Sequence, residues 1–148
     1  MNLKRTCLLG LVLPALGLSL LPAACDTSME PSRLPTVQAF LNVPFSVAAR
    51  QTAVLTDEHL SVTFVRVLDD SRCPIDANCI WSGDATISVR AQQEGRAAET
   101  LNLTLLGNLP GVVHEGFRFH AQQLMPGQVA GQTIRPEDYS VRLLVDRP

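Results

Sequence analysis

The chain has 148 residues, of which 46% are hydrophobic and 18% charged, and its formal net charge is −2 at neutral pH. This length corresponds to one domain with an ordinary buried core. The acidic balance and the lack of a basic run argue against nucleic acid as a partner. They also argue against electrostatic adhesion to anionic lipid.

The N-terminal segment predicts a secretory signal peptide. Lys4 and Arg5 precede an uncharged, leucine-rich run over residues 7–24, which ends in small residues. A basic start, an apolar stretch and a small-residue exit are typical of such leaders. The alternative is a membrane-spanning helix, which needs about 20 apolar residues. Because this run is shorter and is interrupted by Pro14, we assign residues 1–24 to a leader that is removed.

The leader ends in Leu21-Pro22-Ala23-Ala24-Cys25, which resembles the lipobox of bacterial lipoproteins. In that pattern a leucine stands three residues before a cysteine that is lipidated and becomes the new N-terminus. Here Pro22 occupies the leucine position and Leu21 lies one position too early. The resemblance implies a lipid on Cys25 that attaches the protein to a membrane of the bacterial cell envelope. Without that lipid, the chain would be a soluble periplasmic or secreted protein.

The segment that follows predicts a tether and then one domain. Loss of the leader removes two of the 12 basic residues and none of the 14 acidic ones, so the mature net charge is 10 − 14 = −4. Residues 25–42 begin with a polar, proline-containing stretch without periodicity, which is typical of a linker. Whether the part from Val37 to Asn42 forms a helical turn or a short extended piece stays open. Residues 43–148 are expected to form a single β domain.

Apolar and polar residues alternate with a period of two over almost all of 43–148. About seven such runs, separated by turn residues, predict an all-β fold, with an antiparallel β-sandwich favoured over a small β-barrel. The alternation excludes a doubly wound parallel sheet, whose strands would be apolar throughout. A change of apolar face after Phe64 predicts a bulge near Val65. The predicted core consists of Phe45, Val62, Phe64, Ile87, Val89, Leu101, Leu103, Phe117, Phe119, Val141 and Leu143.

Cys73 and Cys79 predict a small disulfide-closed loop. A disulfide requires Cα atoms about 4.4–6.8 Å apart, whereas six residues of extended strand would separate them by roughly 20 Å. The chain between them must therefore reverse, which Pro74 and the turn-forming residues 76–78 favour. The alternatives are a zinc or redox pair, but such pairs have closer spacings. The oxidising compartment favours a disulfide.

Asp70, Arg72 and Trp81 are candidates for a binding surface beside this loop. The usual burial of tryptophan favours packing of Trp81 in the core against the disulfide; the alternative is a solvent-facing binding site. Asp70 and Arg72 are typical of a turn with a local ion pair of small energy. Their alternative role is to grip a ligand.

The stretch Ser71-Arg72-Cys73-Pro74, followed by Cys79, Trp81 and Gly83, resembles a group of small bacterial envelope proteins. These are uncharacterised lipoprotein-like chains with a Cys-Pro…Cys-x-Trp-x-Gly signature. The resemblance extends more loosely over residues 43–145. It implies the envelope compartment and the disulfide loop, and it carries no activity, substrate or cofactor.

The rest of the sequence offers no catalytic pattern. On one strand His114 and His120 would lie roughly 20 Å apart, and His59 has no metal-ligand spacing to either. There is no Gly-x-Ser-x-Gly motif and no glycine-rich phosphate loop. We therefore expect no catalytic residue, metal or cofactor.

The expected function is that of a non-catalytic, lipid-anchored binding or scaffold module. Its partner would be another envelope protein or a small ligand. The alternative is a secreted inhibitor of a protease or other envelope enzyme. In that case the disulfide loop, or the loop over residues 106–113, would enter the cleft of its target, because a rigid loop loses little entropy on binding.

Overall fold

The computed structural model of the protein describes residues 34–105 and 110–148. The expected leader, the lipidation site Cys25 and most of the expected tether lie outside these residues. The described part contains two short 3₁₀ turns, Thr56–Glu58 and Pro136–Asp138, and nine strands. The strands are β1 Val37–Ala39, β2 Phe45–Ala48, β3 Thr52–Leu55, β4 Leu60–Asp70, β5 Ala85–Gln93, β6 Glu99–Thr104, β7 Val112–His114, β8 Phe117–Met125 and β9 Ser140–Asp146.

These strands form two sheets, in the orders β1-β3-β4-β5-β6 and β2-β9-β8-β7. The predicted all-β sandwich is confirmed. Strands β1 and β3 pair in parallel, and the other pairs are antiparallel. The count exceeds the expected seven because β1 and β7 have three residues each, too few to show a period of two. Since β1 belongs to a sheet, the folded part begins earlier than residue 43.

The core lies between the two sheets, because each strand turns alternate side chains inward. Every predicted core residue is buried, from Phe45 in β2 to Leu143 in β9. Val43 opens the first alternating run but is exposed, since it precedes β2. The period of two thus assigns the buried face of the strands, with two departures: Ser88 is buried between Ile87 and Val89 in β5, and Leu124 is buried after a register shift in β8.

Strand β4 carries two irregularities that extend it toward one end of the sandwich. Its register with β5 shifts between Phe64 and Arg66, which confirms the bulge at Val65, and shifts again before Asp69. Strand β3 ends its pairing with β4 at Thr63, whereas β5 accompanies β4 to its last residue. The pair β4–β5 therefore projects the cysteine-containing connection beyond β3.

The two ends of the sandwich differ in what they carry. We call the end where β4 and β8 finish the loop end, and the opposite end the far end. The C-terminus lies at the far end, where Arg147 pairs with Glu58 and the Asn42 N–H donates to the Val145 carbonyl. Strand β1 runs parallel to β3, and β3 starts on the loop-end side. The chain therefore enters the described domain from the loop end.

Candidate functional site

The disulfide loop, residues 71–84, connects β4 to β5 at the loop end. Cys73 and Cys79 form the predicted disulfide, with their Cα atoms 6.0 Å apart. The Cys73 N–H donates to the Ser82 carbonyl, and the Ser71 N–H donates to the Asp84 carbonyl, both at 2.8 Å. The base of the loop is thus an irregular continuation of the β4–β5 ladder, and the disulfide closes its tip.

Gly83 is required by a close approach within this base. Its φ is +67°, and a Cβ atom at this position would lie 1.9 Å from the Ser71 carbonyl oxygen. A positive φ favours glycine, and that oxygen belongs to the backbone and cannot move aside alone. This geometry gives a physical reason for the glycine of the sequence signature.

Arg72 joins the base of the loop to the opposite sheet. Its Nε and Nη2 donate to the two carboxylate oxygens of Asp70, each at 2.7 Å. Its Nη1 also donates to the Leu124 carbonyl, and its Nη2 to the Pro126 carbonyl at 2.9 Å. Planar, bidentate pairing of this kind is strong and directional. The Asp70 and Arg72 side chains are only 7% and 18% exposed, so they tie β4 to the end of β8.

Two further residues complete this group, which we call the Arg72 clamp: Asp70, Arg72, Gln128 and Tyr139. The Tyr139 hydroxyl donates to Asp70 Oδ2 at 3.1 Å, and Gln128 Nε2 donates to the Asp70 carbonyl at 2.6 Å. Burial alone would raise the pKa of Asp70, but hydrogen bonds from Arg72 and Gln128, the Arg72 charge and the Tyr139 hydroxyl together lower that pKa below its ordinary value. Burial and the Asp70 carboxylate raise the pKa of Tyr139. Tyr139 therefore stays a protonated donor at neutral pH.

The tip of the loop has its own attachments to the β8–β9 connection. The Ile75 N–H donates to the Gln128 carbonyl at 2.9 Å, and Asp76 Oδ1 accepts from the Ala130 N–H at 2.9 Å. A Cβ atom on Gly127 would lie 2.9 Å from Ile75 Cγ2. The loop is thus fixed by its disulfide, by the Arg72 clamp and by residues 128–130.

This fixed loop displays large apolar side chains to solvent. Ile80 is 104% exposed, Ile75 77% and Trp81 74%. The expectation that Trp81 packs in the core is wrong. Trp81 lies between Cys79 of the disulfide and Ser82, the outermost backbone partner in the base of the loop, and the Arg72 clamp closes the sandwich behind the loop. The indole therefore points away from the core.

The three candidate residues have separated into two groups. Asp70 and Arg72 are brought together but are turned inward, and their polar atoms bind other parts of the chain rather than facing solvent. Of the three, only Trp81 has its side chain largely exposed to solvent. The sequence analysis did not identify Ile75 and Ile80. Large apolar residues in a loop, outside any alternating strand pattern, could have indicated an exposed apolar surface.

A groove of about 530 Å³ runs beside the loop. Its walls are Ile75, Arg72 and Ser82–Asp84 of the loop region on one side and Gln122–Met125 of β8 on the other. Met125 is itself 47% exposed. The loop end therefore combines an apolar projection with a recess, a shape that suits contact with another surface.

The histidines occupy separate places. His59 Nδ1 lies 2.7 Å from Glu94, and His120 Nε2 lies 3.3 Å from Asp146. In the described ranges, no three His, Cys, Asp or Glu side chains converge as metal ligands. Over the same ranges, no helix has the length and apolar composition to cross a membrane.

Comparisons with protein-family models, curated proteins and solved structures gave no match. Within residues 34–105 and 110–148, the contacts and exposures describe a fixed loop that displays apolar side chains.

Proposed function

We propose that the protein is a non-catalytic, lipid-anchored binding module of the bacterial cell envelope, with the disulfide loop as its contact surface. One observation carries this: Ile80 and Trp81 are 104% and 74% exposed on a loop that is fixed at its base and tip. Exposed apolar groups of this size are unfavourable in water, and where they cluster they mark interaction sites. Tryptophan is also enriched among the residues that dominate binding energy.

The fixed geometry of the loop supports the same proposal. Binding immobilises side chains and loops, and a loop that is already ordered loses less entropy. The Arg72 clamp and the disulfide supply that order without using Ile80 or Trp81. The apolar pair is therefore available to a partner.

The lipid anchor rests on the sequence around Cys25. Mass spectrometry of the mature protein isolated from bacterial envelopes tests it. We expect an acylated Cys25 as the first residue. A free, unacylated N-terminus at any position would contradict the anchored form of the proposal.

The contact surface is tested in intact cells by placing a photo-crosslinking amino acid at position 81. We expect a defined adduct, with a protein or with lipid, since this side chain would lie against whatever the loop contacts. The matched control places the same amino acid at Phe40, which is 59% exposed at the far end. Equal yields at both positions, or no adduct at position 81, would refute the assignment of the surface.

The inhibitor function is a second candidate, supported by the closure of the loop by a disulfide. It predicts that the adduct at position 81 contains a protease or another envelope enzyme. The activity of that enzyme should fall in proportion to the complex formed. A crosslinked partner that keeps its full activity would favour the binding module.

A further inference from the structure

The chain enters the described domain from the side toward which the disulfide loop projects, although Val37 itself lies level with Val62, eight positions before Asp70. Thr52, near the start of β3, pairs with Thr63, and β4 continues from there to Asp70 at the base of the loop. Because β1 is parallel to β3, with Val37 opposite Ala53, its start points in the direction in which β4 ends. The chain that comes from Cys25 therefore reaches the domain on the side of the loop.

The length of chain before the domain limits how far the loop end can lie from the membrane. Leu34, where the described structure begins, lies nine positions beyond Cys25 (34 − 25 = 9). At 3.3–3.6 Å per residue, this stretch spans at most about 32 Å. The nine residues of β8 set the two ends of the sandwich roughly 27 Å apart. A lipid on Cys25 therefore keeps the domain close to the bilayer, and the loop end lies within reach of the membrane surface.

The chemistry of the loop suits a lipid surface. Tryptophan is enriched where the bilayer meets water, because the indole is apolar with one polar N–H. Ile80 beside it is fully exposed and has no polar atom in its side chain. Residues 69–84 carry four Asp and one Arg, a net charge of 1 − 4 = −3. Attraction to anionic lipid is thus not the source of such a contact, and the apolar pair has to supply it.

We propose that Ile80 and Trp81 insert into the interface of the bilayer that holds the Cys25 lipid, so that the disulfide loop is a second membrane contact. This deepens the proposed function and rests on its lipid anchor. The exposed area of two side chains gives weak partitioning for a free protein. The anchor makes the contact intramolecular, so the local concentration of lipid surface is high enough for weak insertion to be populated. The domain would then be oriented, with its C-terminus directed away from the bilayer.

Trp81 is the one tryptophan of the chain, so its fluorescence reports on the loop alone. The experiment uses the mature, acylated protein in phosphatidylcholine vesicles, with and without bromine atoms on the lipid acyl chains. We expect the emission to move to shorter wavelength on transfer from detergent to vesicles. We also expect brominated lipid to quench it about twofold or more, since an inserted indole touches the acyl chains.

Two variants make the test specific. A chain with Trp81→Phe and Phe40→Trp moves the reporter to the far end, where bromine should leave the emission unchanged. Ile80→Ser keeps the reporter and removes half of the apolar pair, so quenching of Trp81 should fall. Because Ile80 is fully exposed, this substitution leaves the fold intact, and the circular dichroism spectrum verifies that.

The outcomes separate the two proposals. Unquenched Trp81 on an acylated chain overturns the bilayer contact and leaves the anchor standing. Equal quenching at positions 40 and 81 also overturns it, because the domain would then have no preferred orientation. Shielding of Trp81 that needs added envelope protein assigns the surface to a protein partner instead. A chain whose Cys25 carries no lipid overturns the proposed anchor and the bilayer contact together.

Discussion

The sandwich and the disulfide loop place their side chains by opposite rules. In the sandwich, apolar residues such as Phe64 and Leu103 are buried and the polar residues between them face outward. In the loop region, the charged pair Asp70 and Arg72 is turned inward, while Ile80 and its neighbours stay in solvent. The loop is held by its disulfide and by polar contacts, so its fold does not depend on burying these apolar side chains.

Leu103→Ala and Ile80→Ala test this contrast with the largest expected difference. Leu103 is 2% exposed in β6, so truncation should lower the free energy of unfolding by about 2–4 kcal/mol, through lost burial and the cavity left behind. Ile80→Ala should change it by less than about 0.5 kcal/mol, as exposed substitutions do. Urea unfolding of both variants measures the difference. Similar losses would show that Ile80 is packed rather than displayed.

Arg142→Ala is the matched control within the sandwich. Arg142 lies on the outer face of β9, between the buried residues Val141 and Leu143. Its loss should cost far less than that of Leu103, because no core contact is removed. A cost as large as that of Leu103→Ala would contradict the inward and outward assignment of β9.

Most strands of the sandwich could be predicted from the sequence, whereas the contacts of the Arg72 clamp could not. All seven predicted runs coincide with strands of four or more residues, and their period of two assigns nearly all of the buried side chains. The parallel pairing of β1 with β3 could not be predicted, because three residues are too few to show an alternating pattern or to indicate a pairing partner. The spacing of Cys73 and Cys79 did predict the disulfide, since ring geometry is local.

The partners of Arg72 were out of reach for a different reason. Leu124 lies 52 residues beyond Arg72 along the chain, and Tyr139 lies 69 beyond Asp70. No local pattern encodes contacts over such separations. The general tendency of tryptophan to be buried predicts a core position for Trp81, and that prediction is wrong. The exposure of Trp81 depends on the long-range polar contacts that hold the loop away from the core.

Arg72→Ala tests the clamp and should have the second largest effect. The substitution leaves the nearly buried Asp70 carboxylate without its cation and leaves the Leu124 and Pro126 carbonyls without their donor. We expect the free energy of unfolding to fall by about 2 kcal/mol, the scale of hydrogen bonds to charged groups. Trp81 should also become more mobile, and its fluorescence anisotropy measures this. Unchanged stability and anisotropy would show that the loop is held without Arg72.

Removing the disulfide should have an effect of similar size. Closing so short a ring contributes only roughly 2 kcal/mol in the chain-entropy model, and the clamp and residues 128–130 still hold the loop in its absence. The Cys73→Ser, Cys79→Ser chain should therefore melt at a moderately lower temperature with its β-sheet circular dichroism intact. Peptide mapping with and without reductant verifies the pairing in the parent chain. Two free thiols in protein taken from the envelope would contradict it.

The smallest expected effect is the pH dependence that Asp70 confers. Its pKa is lowered in the folded protein, so its ion pair stabilises the fold at pH values above the unfolded pKa of about 3.9. That contribution is lost as the pH falls through the folded pKa. Asp70→Asn should therefore be less stable than the parent chain at pH 7, and the gap should narrow below about pH 4. Urea unfolding across this range measures the gap.

The neighbouring carboxylate supplies the control for this last comparison. Asp69 is exposed and lies outside the clamp, so Asp69→Asn should change the stability at pH 7 by little, as exposed substitutions do. Both substitutions remove one negative charge, and a difference between them therefore isolates the contacts of Asp70 from the change in net charge. A gap for Asp70→Asn that stays constant from pH 7 to pH 3 would mean that its carboxylate gains nothing from Arg72. The claim that the inward-facing pair Asp70 and Arg72 holds the loop would then be contradicted. The disulfide and residues 128–130 alone would determine the position of the loop.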